Sequence, residues 1–107
     1  MVDFTDLYVR QRQYLNKIRE LSFLTPHDRV ELTKEYLLRC HVELSEVFAA
    51  AKLKKSNPEF TPAERDSILE ELVDSFKFLL NILIVQGFTA TDFEVMFYTK
   101  SDTVDRR

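Results

Sequence analysis

The clearest chemical pattern in this chain is two pairs of acids. Glu43 and Glu46 stand at i and i+3, and so do Glu71 and Asp74. On a helix that spacing puts both carboxylates of a pair on one face, with Cβ atoms roughly 5–6 Å apart. Either pair taken singly describes an ordinary solvated helix face. The flanking residues change that, because LLRCHVELSEVFAA and ILEELVDSFKFLLNILIV are the two most apolar stretches of the chain and read as core helices. If both pairs face one interhelical space, like charges about 4 Å apart repel by about 4 kcal/mol at an effective dielectric near 20. Several such contacts rival the roughly 5–15 kcal/mol that stabilises a whole domain, so a cation must offset them. Only oxygen donors are on offer, which favours magnesium, with manganese as a substitute, over zinc or copper. Magnesium held by a few carboxylates keeps positions open for water and phosphate oxygens, the setting of phosphate ester chemistry. Lys77 and Asn81 follow Asp74 at i+3 and i+7, continuing a polar track along a helix otherwise filled with Phe and Leu. The track faces a site, or is an exposed stripe with a weak Asp74 to Lys77 surface pair.

Helices must position these acids. In 107 residues there are 45% hydrophobic side chains and nine Phe but only one Gly and three Pro, too few turn formers for a sheet protein. Apolar residues recur every three or four positions, and helix starts punctuate the chain four times. The first helix runs from about Asp3 to Leu21, with Leu7, Tyr8, Tyr14, Leu15 and Ile18 as its stripe. Thr25-Pro26, an N-cap with proline at the first helical position, opens a long helix to about Ala51. After the polar segment from Lys52 to Phe60, Thr61-Pro62-Ala63-Glu64 forms a capping box, and that helix ends at Gly87 in the left-handed C′ position. A second capping box, Thr91 to Glu94, starts the last helix toward Val104. One all-α, four-helix domain follows. A chain this short leaves much of its surface exposed unless another copy covers it, so oligomerisation is expected.

Charge and cysteine content exclude other classes. With 15 basic against 18 acidic residues there is no broad basic surface for a nucleic acid polymer. The single cysteine, Cys40, excludes an intrachain disulfide and suits the cytoplasm. The N-terminus is too charged for a signal peptide, and the longest apolar stretch is too short to span a bilayer. Cys40 and His41 point about 100° apart on a helix and cannot act as a nucleophilic pair. His41 reads as structural and His27 as a surface residue. No Gly-rich phosphate loop or Ser-His-Asp set is present.

Glu43-x-x-Glu46 followed by Glu71-x-x-Asp74 resembles the pattern of the all-α NTP pyrophosphatases, which include MazG, the dimeric dUTPases and the dCTPase-dUTPases of T-even phages. Glu70 to Ser101 is similar to the dimeric dUTPase and phage branch, most specifically in ELVDSFKFLLN, and the likeness covers most of Leu37 to Arg107. It implies a MazG-like bundle acting as a homodimer or homotetramer on a nucleoside triphosphate, in the cytoplasm of a cell or of a phage-infected host. Glu43, Glu46, Glu71 and Asp74 would hold magnesium against the triphosphate, with Glu46 orienting or deprotonating the water that attacks the α-phosphorus. Products would be a nucleoside monophosphate and pyrophosphate, from dUTP or dCTP.

The same resemblance assigns substrate contacts. Asn81 matches a position near the deoxyribose, and Lys77 stands where relatives often carry His. Tyr98, Lys100 and Arg107 match a phosphate-binding tail, although Val104 replaces its usual Asn. Lys54 aligns with a lysine of a basic, Trp-containing segment, while Lys52, Lys54 and Lys55 also read as a solvated charge run without any Trp. A first-helix Gln-x-x-Leu-Asn motif reads the pyrimidine in relatives. Here Leu15 and Asn16 match its end, Arg12 takes the Gln position, and Gln11 and Gln13 flank it, with Gln13 the candidate. Tyr14 is a base-stacking candidate or a core aromatic. Two alternatives stay open: a MazG-like activity of broader nucleotide range, and a non-catalytic helical oligomer that binds nucleotides or regulates a partner.

Overall fold

The computed structural model describes residues 3–54 and 58–105, the side chains of 103–105 excepted. Its regular structure is four α-helices and one 3-10 turn, with no strand among the described residues. In chain order these are α1 Phe4–Ile18, the turn Leu21–Phe23, α2 Pro26–Lys52, α3 Pro62–Val85 and α4 Ala90–Asp105. None of these helices is long and apolar enough to cross a membrane.

Each α-helix starts where a short side chain can satisfy otherwise orphaned N–H groups. Asp3 with Asp6, Thr25 with Asp28 and Thr61 with Glu64 form reciprocal capping boxes, the last two with proline in the first turn. At α4 the box is Thr89 with Asp92, at 2.8 and 3.0 Å, two residues before the Thr91 to Glu94 box expected from sequence. Packing decides between the two, because an earlier start carries Ala90 into the core. Gly87 has φ 80°, and the Gly87 and Phe88 N–H groups close on the Ile84 and Leu83 carbonyls, which terminates α3 as predicted. The first helix stops at Ile18 rather than Leu21. Six residues of continuous helix would turn Leu21 about 120° away from Leu15. An extended Arg19 and the Asn16 side chain, which accepts the Leu21 N–H at 3.2 Å, bring Leu21 back into the core instead.

The spine is an antiparallel hairpin of α2 and α3. Arg29 donates to the Val85 carbonyl, Gln86 donates to Thr33 Oγ1 at 2.8 Å, Cys40 Sγ reaches the Ser75 carbonyl at 3.7 Å, and Lys54 pairs with Glu64 at 2.8 Å. One helix descends as the other ascends. Tyr8, Gln11 and Leu15 of α1 pack on this hairpin, and the Tyr8 hydroxyl donates to the Phe88 carbonyl at 2.6 Å. The buried stripe of α1 is narrower than expected, since Leu7, Tyr14 and Ile18 are exposed.

Two further expectations are corrected. The apolar residues beside the acids on α2 are not core in the single chain: Leu38, Val42 and Phe48 are exposed, Phe48 to 68%. Nor does α4 complete a closed bundle. Phe93 stacks on Phe4 at 4.9 Å and Thr5 reaches Glu94 at 3.5 Å, but Val95, Met96, Phe97 and Tyr98 are exposed, Tyr98 to 67%. The radius of gyration is 16.7 Å, against about 13 Å for a compact domain of this length.

Lys54 also lies over the Phe60 ring at 5.5 Å, so this contact fastens the connection between α2 and α3. The Lys54 hydrogen bond, then those from Thr61, hold the Glu64 carboxyl at about 2, below its ordinary 4.5. A depressed carboxyl stabilises the fold above its ordinary value and loses that contribution as pH falls through the folded one. Melting of wild type is therefore expected to drop between pH 4.5 and about 2 more steeply than melting of Glu64→Gln. Parallel acid limbs for the two proteins would refute the role of this contact.

Candidate functional site

The hairpin register brings the two acidic pairs together. Glu43 lies across from Asp74 and Glu46 across from Glu71, one helical turn apart, and Glu43 and Glu71 are half-buried while Glu46 and Asp74 are exposed. Desolvation, then the charges of Glu46 and Asp74, push the Glu43 carboxyl above its ordinary range. Glu71 is raised by desolvation, by the Glu46 charge, by a hydrogen bond with Glu46, and by Glu43 and Asp74. Each pair feels the other across the interface, as four like groups in one electrostatic cluster must.

Beside this cluster α1, α2 and α3 enclose a cavity of about 510 Å³ whose lining includes Glu43, Asp74, Lys77, Asn81, Gln11 and Tyr14. The polar track of Asp74, Lys77 and Asn81 along α3 therefore lines a cavity. Among the described residues Lys77 has no ion-pair partner, which leaves its ammonium free for an anion. Asn81 is 7% exposed and Gln11 9%, and Gln11 Nε2 donates to Asn81 Oδ1 at 2.8 Å. That bond leaves Gln11 Oε1 as an acceptor and the Asn81 amide as a donor, a pair able to read a planar ligand edge. Tyr14, on the rim, offers an exposed ring.

Gln11 is the residue that sequence reasoning missed. It falls three residues after Tyr8 and four before Leu15, so it belongs to the buried stripe, and a buried amide requires a partner. Asn16 and Gln13, the candidates from the first-helix motif, line a different cavity on another side of α1. Neighbouring helical residues point about 100° apart, so a small change of register moves the reading side chain from one cavity to another. Lys54 is engaged by Glu64. Tyr98 and Lys100 are exposed on α4 and do not line the acidic cavity. Arg107, and with it the end of the expected phosphate-binding tail, lies outside the described residues, as does Lys55. Cys40 is buried and His41 exposed.

The donor set suits a hard cation: all four groups are carboxylates, and two of them, Glu43 and Glu71, are raised by desolvation first and by the neighbouring acids second. Among the described residues, no three His, Cys, Asp or Glu side chains are arranged to hold an ion with the rotamers they adopt.

A carboxyl whose folded value is raised stabilises the fold below its ordinary 4.5 and loses that contribution as pH rises through the folded value. In chelator, wild type is expected to lose thermal stability as pH rises from 4.5 toward neutrality. Glu71→Gln should flatten that decline and melt higher than wild type at neutral pH. A lower neutral melting point for Glu71→Gln would show that the acids do not repel one another.

Compared with known family models, curated proteins and solved structures, the chain matches none.

Proposed function

We propose that this chain is a magnesium-dependent nucleoside triphosphate pyrophosphatase that cleaves a deoxypyrimidine triphosphate, dUTP or dCTP, to the monophosphate and pyrophosphate. The observation that carries the proposal is the convergence of Glu43, Glu46, Glu71 and Asp74 from two helices, with Glu43 and Glu71 raised by desolvation and then by the neighbouring acids, beside a cavity with its own amide pair and free lysine. Glu43, Glu71 and Asp74, with Glu46, would hold magnesium, which would supply charge neutralisation to the phosphates and a Lewis acid. Glu46, one of the two exposed acids, accepts the proton of the attacking water. The water oxygen bonds to the α-phosphorus as the bond to the bridging oxygen breaks, and pyrophosphate departs with the electron pair. Lys77 offsets phosphate charge, Gln11 and Asn81 read the pyrimidine or sugar edge, and Tyr14 stacks on the base.

In this reading the working form is a homodimer or homotetramer. The chain exposes 8541 Å², whereas a folded monomer of its mass exposes about 6,200 Å². The excess, roughly 2,300 Å² per chain, is the size of an obligate interface. Its apolar parts, on α2 beside the acids and on the second half of α4, are where a copy of the chain would dock.

Incubation with magnesium and a panel of dNTPs should release pyrophosphate from dUTP or dCTP and little from purine substrates, and chelator should abolish turnover. Comparable purine turnover would favour a broad-range activity, and no turnover on any nucleotide would favour a non-catalytic binding protein. Glu46→Gln should lower kcat by roughly 10²–10⁴-fold while the protein stays helical. Sedimentation equilibrium should give at least twice the 12.7 kDa chain mass, and Phe48→Glu should dissociate the assembly. A monomer at micromolar concentration would overturn the oligomer.

A further inference from the structure

A second cavity, of about 580 Å³, lies between α1, the 3-10 turn and the C-terminal end of α3, and shares no lining residue with the acidic one. α1 ends at Ile18, and Leu21 and Ser22 of the turn that follows belong to the lining. Two guanidinium groups face it, Arg12 from α1 and Arg29 from α2, together with the side chains of Gln13, Asn16 and Ser22. No carboxylate belongs to the lining, and among the described residues neither arginine has an ion-pair partner. Arg29 is half-buried and anchored through the Val85 carbonyl, which uses one of its five N–H donors and leaves the fork available. Asn16 Oδ1 is occupied by the Leu21 N–H, so its amide nitrogen is left as a donor. Donors therefore predominate in this cavity, and a half-buried cation without counter-charge calls for an anion.

We propose that this cavity binds a phosphate ester of a small organic molecule, at a site separate from the acidic cluster. The arginine fork matches phosphate oxygens in geometry as well as charge. The space exceeds what a bare phosphate fills, and Val9, Leu21 and Ile84 supply an apolar wall for the organic part. The inference does not depend on the hydrolytic reading of the acidic site, since it rests on different residues.

Titration calorimetry on the full chain in chelator, with deoxyuridine monophosphate and with inorganic phosphate as probes, tests it. The ester is expected to bind saturably and more tightly than phosphate. Arg12→Ala, at an exposed side chain, should weaken it by about ten-fold or more. Arg29→Lys, which keeps the charge but loses the fork, should do the same, and Asp74→Asn should leave it unchanged. Circular dichroism checks that each variant is helical. Absence of saturable binding at millimolar ester, affinity lost in Asp74→Asn but kept in Arg12→Ala, or phosphate binding as well as the ester would each overturn the proposal.

Discussion

The antiparallel register of α2 on α3 is the constraint on which the rest depends. Four contacts spaced along it, from Arg29 and Val85 at one end to Lys54 and Glu64 at the other, allow one alignment. Within that alignment Glu43 meets Asp74 and Glu46 meets Glu71. A slip of one helical turn, about 5.4 Å, would separate the partners and remove the reason for their shared electrostatics. The packing of two apolar helices thus holds four acids where their own repulsion would not place them, and packing contacts elsewhere must offset what the acids cost.

That balance is only partly met within one chain. The buried cluster draws on Leu15 and Leu21, Leu32 and Tyr36, Leu80, Ile84 and Val85, and Ala90, while large apolar side chains on α2 and α4 remain outside it. A chain of this length cannot wrap its own helices fully, and here the shortfall falls on the same stretch of α2 that carries Glu43 and Glu46. Stability and site are therefore coupled through one surface.

The first helix divides the polar side chains of the molecule between two environments. Gln11 turns toward Asn81 and the acids, while Arg12, Gln13 and Asn16 turn toward the basic cavity. Both cavities carry amides and arginine, but carboxylates, those of Glu43 and Asp74, line only the first. Adjacent positions in sequence serve different cavities because a helix rotates about 100° per residue.

What the sequence by itself determined was local. The caps at Thr25 and Thr61 mark two helix starts, Gly87 marks the end of α3, and i, i+3 spacing joins each acidic pair, because these features depend on neighbours within a turn or two. Sequence also marked Asp74, Lys77 and Asn81 as one polar track, and in the structure all three line one cavity. Only the tertiary structure decided which face each helix buries. That contact paired the two acidic motifs, started α4 at Thr89 so that Ala90 could enter the core, and stopped α1 early so that Leu21 could return to it. It also put Gln11, not Gln13 or Asn16, beside Asn81, and left α4 largely unpacked. These outcomes depend on residues tens of positions apart competing for one small core, and no local pattern encodes the result of that competition.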